Sequence, residues 1–332
     1  MFRKMLFAAL AFMPGLMLPA QGAEPKLRPE MLVTTAWLAE NLSEPDVIVL
    51  CINSTPEFYT KAHIPGARQI KLEDIAVTRD GIPSELPPVE TLQHVFEAAG
   101  VSNSSRVVLY GERFNLFAAR AYFTLDYLGV AARVALLDGG LEKWTAERRP
   151  LSKETPQART TTLVVSPRPE ILVDTKTMRD LSQKKPGSAT LVDARPTKEF
   201  TGEQLSEDVA KAGHIPGAKG LFWMDMLVSR QNPVLKPELE LRRMYEQAHA
   251  AAGQPLVTYC RTGMQAAFDY FVAKYLGYDP SMYDASFFEW SKNNLPAETS
   301  AKQQGKLTTV RQSRNQKRNI YHGGTETPKS RS

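Results

Sequence analysis

The residues around Cys260 are of the types that form a thiol-based active site. A short apolar strand is predicted over residues 255–259 and delivers Cys260, and an amphipathic helix pattern follows from Ala266. The loop between them, residues 261–265, therefore joins a strand to the start of a helix. At such a turn the sulfur faces backbone N–H groups and the positive end of the helix dipole. We expect the Cys260 thiolate to be populated well below the usual thiol pKa of about 8.5.

The composition of this loop limits the groups that could activate the Cys260 sulfur. Its residues are Arg261, Thr262, Gly263, Met264 and Gln265, with no histidine and no carboxylate among them. The backbone itself would then activate the sulfur, which suits a stored anion such as a persulfide better than an acyl intermediate. The alternative interpretation is a structural thiol at the end of a core strand, where buried cysteines are common.

A long internal repeat favours the functional interpretation. The sequence His63–Ala67 returns as His214–Ala218, 151 residues later. Other landmarks recur in the same order, pairing Glu57-Phe58 with Glu199-Phe200, Tyr127–Gly129 with Tyr275–Gly277 and Asp138–Trp144 with Asp284–Trp290. Solenoid repeats run about 20–50 residues, so this longer period indicates a duplicated domain.

The elements that position the cysteine are predicted to be buried parallel strands. Residues 47–50 and 107–110 are short, apolar and rich in β-branched residues, and residues 191–192 and 256–259 are their counterparts in the second half. Because helical stretches separate the strands, we expect an α/β fold with parallel sheets flanked by helices. Ligands bind beyond the carboxyl ends of such strands, which is where Cys260 lies.

The first half lacks the nucleophile. Gly111 occupies the position that corresponds to Cys260, and the following residues 112–115 contain no glycine that matches Gly263. We therefore expect the first half to keep the fold and to be inactive.

With these residues identified, the chain resembles a tandem-domain rhodanese over about residues 28–297. The resemblance rests on the two His-Ile-Pro-Gly-Ala turns, the Asp193-Ala-Arg195 segment, the loop from Cys260 to Gln265 and the closing elements that run from Asp to Trp. Each of these motifs is weak alone, but they occur together, in order and twice.

The resemblance implies a particular division of the chain. It places an inactive rhodanese-like domain at residues 28–150, a linker at 151–169 and a catalytic rhodanese domain at 170–297. Residues 298–332 would form a basic, disordered tail.

The resemblance also implies a ping-pong sulfurtransferase reaction. The Cys260 thiolate would attack the outer sulfur of thiosulfate, sulfite would leave, and a Cys260 persulfide would pass its sulfur to cyanide or to a thiol. The amides of residues 261–265 would cradle the persulfide anion. Gly263 is where a close turn without a Cβ would be needed.

Three residues bear on the substrate. Arg261 favours a thiosulfate-type enzyme over a mercaptopyruvate-type enzyme, although Thr262 stands where thiosulfate-type members often have lysine. Both types often have a further basic residue where this chain has Glu199, so thiosulfate would bind weakly and another persulfide donor is an alternative. Phosphatases of the same fold use a longer loop that ends in arginine, and Ala266 stands at that position, which argues against phosphate chemistry.

Other conserved-looking residues of the repeat are interpreted as structural. Asp193 and Arg195 are expected to form a buried ion pair that fixes the loop, in preference to contacting substrate. The two histidines at 63 and 214 occur in both halves, which makes them turn residues and not bases. Trp144 and Trp290 likewise read as core anchors, and core packing is the preferred role of Trp223.

The amino terminus predicts export. Residues 1–23 combine Arg3-Lys4, an apolar stretch and a cleavage zone of small residues, as a secretory signal peptide does. We therefore expect a periplasmic protein. The second cysteine, Cys51, lies in the other half and is expected to be a packed core thiol that forms no disulfide with Cys260.

The expected partners are a small-molecule sulfur donor and acceptor, with a thiol or a protein as alternative acceptors.

The segment 301–332 has eight Lys or Arg residues and one Glu, a net charge of +7 against +5 for the whole chain, so the basic character does not belong to the domains. We expect no nucleic-acid binding, although the tail could contact anionic surfaces. The sequence predicts no metal and no organic cofactor, and a monomer is the default. A non-catalytic sulfur carrier or docking protein is the competing function.

Overall fold

The computed structural model describes residues 25–157, 159–185 and 187–300. The predicted signal segment, residues 1–23, and residues 301–332 of the predicted tail lie outside these ranges.

The first half is built on a parallel sheet. Its strands are β1 (Leu32–Val33), β2 (Val47–Asn53), β3 (Arg68–Lys71), β4 (Val77–Arg79), β5 (Ile82–Glu85), β6 (Arg106–Gly111) and β7 (Val134–Leu137). Five of them form a sheet in the order β1-β7-β6-β2-β3, in which every neighbouring pair is parallel, while β4 and β5 form a separate antiparallel pair. The helices are α1 (Thr35–Asn41), α2 (Pro56–Thr60), α3 (Leu72–Ile75), α4 (Val89–Ala98), α5 (Glu112–Tyr127) and α6 (Gly140–Ala146).

The second half repeats this plan. Its strands are β8 (Thr190–Asp193), β9 (Lys219–Gly220), β10 (Leu256–Tyr259) and β11 (Pro280–Met282), in the parallel order β11-β10-β8-β9. Its helices are α7 (Thr175–Ser182), α8 (Thr197–Thr201), α9 (Glu238–Gln247), α10 (Met264–Tyr275) and α11 (Ser286–Lys292). The order corresponds strand for strand to β7-β6-β2-β3 of the first half. The predicted α/β fold with two parallel sheets is therefore confirmed.

The two halves meet along the helices α5 and α10. Tyr122 packs edge-on against Phe271 with ring centroids 4.9 Å apart, and Phe123 packs in the same way against Tyr270 at 5.0 Å. A single apolar cluster runs through residues of both halves at this interface, while two further clusters lie in one half each. The halves therefore share part of their hydrophobic core.

The segments predicted as linker and tail take part in the folded body. Ser152 exchanges backbone hydrogen bonds with His63, and Leu163 is fully buried, because the segment between the sheets packs against the first half. Glu298 exchanges the same pair of bonds with His214 in the second half. The predicted start of the tail at residue 298 is therefore too early, since the paired chain extends through that residue.

Two kinds of feature are absent from the described ranges. None of the helices in the described ranges combines the length and the apolar character needed to cross a bilayer. Those ranges also contain no group of three or more His, Cys, Asp or Glu side chains placed to hold a metal ion.

Candidate active site

Cys260 follows directly after β10, at the carboxyl end of the central part of the second sheet, and is 1% exposed. The Cys260 N–H donates to Ser286 Oγ at 3.1 Å, and the Cys260 carbonyl accepts from the N–H of Phe287 at 3.0 Å. The next carbonyl, that of Arg261, accepts from the N–H of Phe288 at 3.0 Å. The start of α11 thus holds the backbone on which the candidate nucleophile lies.

Gly263 turns the chain from this loop into α10. It is in the left-handed region, with φ of +85°, and is the residue that precedes the helix. A Cβ at this position would lie 2.3 Å from Asp284 Oδ1, so a side chain is excluded by contact as well as by conformation. The predicted requirement for a glycine here is confirmed.

The ionisation of Cys260 differs from the expectation. Burial raises the pKa of the thiol, while hydrogen bonds from the backbone N–H groups of Ala266, Thr262 and Gln265 lower it, and the nearby charge of Asp193 raises it further. Burial prevails, so the predicted low thiol pKa is wrong for the free protein. The backbone N–H groups of the loop lower the pKa in the predicted direction, but they do not outweigh burial.

Asp193 and Arg195 form the buried ion pair that the sequence predicts. Arg195 Nη2 donates to Asp193 Oδ2 at 2.6 Å and Arg195 Nε donates to Asp193 Oδ1 at 2.9 Å. Asp193 is fully buried and Arg195 is 2% exposed. Arg195 Nη2 also donates to the Gly213 carbonyl at 2.7 Å, and its guanidinium lies over the ring of Phe287, 4.1 Å from the centroid. The pair therefore ties the end of β8 to neighbouring segments.

The remaining loop residues are partly exposed. Thr262, Met264 and Gln265 are all intermediate in exposure, and Met264 packs against the shared apolar cluster. The side-chain oxygen of Gln265 is buried without a hydrogen-bond partner among the described residues. The contribution of these three residues to the sulfur environment comes from the backbone, through Thr262 and Gln265.

Sequence reasoning missed several groups at this site. Arg261 lies near two carboxylates, those of Glu199 and Asp208. From the first half, the fully buried Arg120 donates to both oxygens of Asp284, at 2.5 and 3.0 Å, and reaches the position beside Gly263. Among these groups, the sequence could have indicated Ser286, because its counterpart in the repeat is a glycine, Gly140. In the structure both residues have a positive φ.

The corresponding place in the first half is closed. A Cβ at Gly111 would lie 2.5 Å from the carbonyl oxygen of Ile52, so a cysteine does not fit there without movement of β2. Glu112 accepts hydrogen bonds from the N–H and hydroxyl of Ser54, at 2.8 and 2.9 Å, and from the N–H of Thr55. Asn115 Oδ1 accepts from the N–H of Gly111 at 3.1 Å. Side-chain oxygens thus bond N–H groups at the ends of β2 and β6 in the first half.

The second cysteine is a packed core thiol, as predicted. Cys51 is fully buried in β2, both cysteines are free, and burial raises the pKa of the Cys51 thiol to about 12. The groups that shift this pKa include no backbone N–H donor, in contrast to those around Cys260.

The repeated histidines and tryptophans have matching structural roles. His63 and His214 stack on Tyr59 and Phe200, with ring centroids 3.9 and 3.8 Å apart, and each ring Nδ1 bonds the carbonyl of the residue on which it stacks. The two buried tryptophans, Trp144 and Trp290, donate from Nε1 to the carbonyls of Pro150 and Pro296. Trp223 is 4% exposed and packs against Phe268. All five side chains serve packing and turns, as predicted.

The fold and the site define a class of protein with two parallel α/β domains. One domain has a cysteine on the loop after a strand, and the corresponding position of the other domain is closed. The model of the rhodanese-like domain matches this chain twice, at residues 34–147 and 175–293. The chain therefore belongs to the rhodanese-like family, as its sequence motifs indicate, and is a sulfurtransferase or sulfur carrier of that family.

Named relatives cover almost the whole folded chain. The "Sulfur carrier protein TtuD" of Thermus thermophilus is 35% identical over 280 residues, which cover 79% of this chain and 94% of the relative. A Synechococcus elongatus protein named "Putative thiosulfate sulfurtransferase" is 30% identical over 305 residues, with 89% and 92% covered.

Solved structures share the fold at lower identity. The Tum1 protein of Saccharomyces cerevisiae aligns with a TM-score of 0.71 and 20% identity, covering 82% of this chain and 99% of that one. A variant of EanB in complex with ergothioneine aligns with a TM-score of 0.71 and 24% identity, covering 81% and 70%.

Proposed function

We propose that this protein transfers sulfane sulfur through a persulfide on Cys260. The Cys260 sulfur attacks the outer sulfur of a donor such as thiosulfate, the donor S–S bond breaks, and sulfite leaves with the electron pair of that bond. The thiol proton goes to solvent before or during the attack. A thiophilic acceptor, cyanide or a thiol, then takes the outer sulfur and restores Cys260, which completes a ping-pong cycle.

The observation that carries this proposal is the set of backbone donors around the sulfur. The N–H groups of Thr262, Gln265 and Ala266 lower the pKa of the Cys260 thiol, and the twelve-residue helix α10 begins at Met264, at the end of the same loop. Donors fixed in place favour the charge that develops during a reaction, because they need no reorganisation at that moment. They suit the anionic outer sulfur of a persulfide, which a structural thiol does not need.

The reaction partners are argued from the loop and from the named relatives. Relatives named "Putative thiosulfate sulfurtransferase" support thiosulfate as a donor, and Arg261 is the cation of the loop beside Cys260. Thr262, Gly263, Met264 and Gln265 would form the rest of the persulfide-binding loop, supported by the Asp193–Arg195 pair. The resemblance favours thiosulfate over mercaptopyruvate as donor.

A sulfur carrier is the second candidate, because the relative from Thermus thermophilus carries that name at 35% identity. In that case Cys260 would accept sulfur and deliver it to a protein, without turnover on small acceptors. Both candidates need the same persulfide and differ in its release.

One experiment separates the two candidates. The purified full-length protein is incubated with thiosulfate, and intact mass spectrometry follows the gain of one sulfur atom; cyanide is then added and thiocyanate is measured. We expect loading and multiple turnovers, and Cys260→Ser should abolish both while its thermal unfolding stays nearly unchanged. Loading without turnover would favour the carrier, and a reduced Cys260 that never gains sulfur would contradict both.

Export remains part of the proposal. Residues 1–23 have the composition of a signal peptide, which supports secretion to a bacterial periplasm. The amino-terminal sequence of the protein recovered from a periplasmic extract tests this: it should begin near residue 23 or 24, and an intact Met1 in the cytoplasmic fraction would contradict it.

A further inference from the structure

The only cation in the candidate loop is already engaged by carboxylates. Arg261 Nη2 lies 3.8 Å from Glu199 Oε1, and Arg261 Nη1 lies 3.4 Å from Asp208 Oδ2. The Arg261 side chain is 33% exposed, and that of Asp208 is 61% exposed, so the second contact is well screened by water. Glu199, whose side chain is only 6% exposed, is therefore the carboxylate with the larger effect on a ligand at Arg261.

Glu199 is held near the site with one oxygen unused. It lies in α8, which begins shortly after the Asp193–Arg195 pair. Its Oε2 is buried and accepts no hydrogen bond from the described residues. The cation nearest to Oε2 is Arg195, with Nη1 at 3.9 Å and thus beyond hydrogen-bond distance, while its Nε and Nη2 donate to Asp193 and to Gly213. A buried carboxylate in this state favours a ligand that supplies a donor or a positive charge.

The charge balance around the loop points in the same direction. The buried carboxylates of Asp193 and Glu199 match the guanidinium groups of Arg195 and Arg261, so these four groups carry no net charge, and the exposed Asp208 adds a negative charge that water screens. The pair of Arg120 and Asp284 beside Gly263 is neutral as a unit. A doubly negative donor such as thiosulfate therefore meets no net positive charge at the loop, while an ammonium group on the donor can pair with Glu199.

We propose that Glu199 is a specificity-determining residue that selects an organic persulfide with an ammonium group near its sulfur, the chemistry of an aminothiol persulfide, over thiosulfate. This inference rests on the proposed Cys260 persulfide. The Cys260 sulfur attacks the outer sulfur of the organic persulfide, and the donor S–S bond breaks. The donor leaves as a thiolate with the electron pair of that bond, so no external oxidant or reductant is required.

A matched pair of donors tests the proposal. Cysteine persulfide carries the ammonium group, and the persulfide of 3-mercaptopropionate is the same molecule without it. Both are generated in situ, thiosulfate is the third donor, and the initial rate of Cys260 loading is followed by mass spectrometry. For the wild-type chain we expect kcat/KM for cysteine persulfide to exceed that for the desamino analogue by about tenfold.

Variants of the carboxylates identify the group responsible. In Glu199→Gln we expect the ratio of the two persulfides to fall to about one and kcat/KM for thiosulfate to rise about tenfold, because the charge of Arg261 is then no longer balanced by a buried carboxylate. Glu199→Asp keeps the charge and should keep the preference. Asp208→Asn removes a carboxylate from the exposed side of Arg261 and should change each rate less than about threefold.

The outcomes separate this proposal from the one on which it rests. Loading from all three donors, with the persulfide ratio and the thiosulfate rate in Glu199→Gln equal to those of the wild-type chain, would reject the role of Glu199 and leave the Cys260 persulfide standing. A wild-type Cys260 that gains sulfur from none of the donors would reject both.

Discussion

Two effects of unequal size act in opposite directions on the ionisation of Cys260. The start of a helix stabilises an anion by up to about 2 kcal/mol in a partly buried geometry. Full burial shifts the pKa of an ionisable group by up to about 3–5 units, and each unit corresponds to about 1.4 kcal/mol. Burial therefore prevails, and the backbone N–H groups act chiefly once a second, anionic sulfur has been added.

This balance predicts how sulfur loading depends on pH. Since burial raises the pKa of Cys260 above its ordinary value, the thiolate is a minor species at neutral pH. Below the pKa its fraction grows about tenfold per pH unit, so the single-turnover rate of loading should rise steadily from pH 7 to 9. The rate is measured as sulfite release from thiosulfate in a Cys51→Ala variant, which leaves Cys260 as the sole thiol. A plateau below pH 8 would contradict the raised pKa.

At the scale of elements, the turn between β11 and α11 supports the sulfur-bearing loop. Ser286 is fully buried, has a φ of +56° and accepts the hydrogen bond of the Cys260 N–H, while its hydroxyl donates to the Tyr283 carbonyl. Its counterpart Gly140 has nearly the same φ, +57°, without strain. In the second half, a strained residue therefore occupies this position, and its hydroxyl holds the backbone of the candidate nucleophile.

Two substitutions at this position separate the hydroxyl from the strain. Ser286→Ala leaves the buried Cys260 N–H without a partner and keeps the left-handed residue, so it should lower the free energy of unfolding by about 1–3 kcal/mol. Ser286→Gly loses the same hydrogen bond but removes the strain, which recovers about 1–2 kcal/mol. Urea denaturation of both variants measures the difference, and equal stability of the two would show that the backbone of Ser286 carries no strain.

At the scale of the whole molecule, the first half supplies contacts to the candidate active site of the second half. Arg120 of α5 is buried at the interface, donates to both oxygens of Asp284 and donates to the Ser84 carbonyl at 2.6 Å. Asp126, from the same helix, accepts from the hydroxyl of Tyr270 at 2.6 Å and pairs with Lys274. The two halves are thus joined by these polar contacts as well as by the shared apolar cluster.

The Arg120–Asp284 pair predicts a coupling between the halves. Arg120→Met leaves the Asp284 carboxylate buried without its partner, which should cost about 3–5 kcal/mol of stability. It should also slow sulfur loading, because the loop at Gly263 packs against this pair.

The double variant is the control for this coupling. Arg120→Met with Asp284→Asn removes both charges and should recover most of the lost stability in a double-mutant cycle followed by urea denaturation. Additive losses in the two single variants would show that the pair does not couple the halves.

The sequence alone was enough to predict the duplication, the parallel α/β class and the cysteine at the strand end. It also predicted the need for Gly263 and the Asp193–Arg195 pair. These follow from local patterns, because strand periodicity, turn glycines and neighbouring charges act over a few residues. The tertiary structure alone decided the direction of the Cys260 pKa, the approach of Glu199 to Arg261 and the arrival of Arg120 at the loop. Burial depth and contacts between distant segments, 164 residues apart for Arg120 and Asp284, are set only when the whole chain packs.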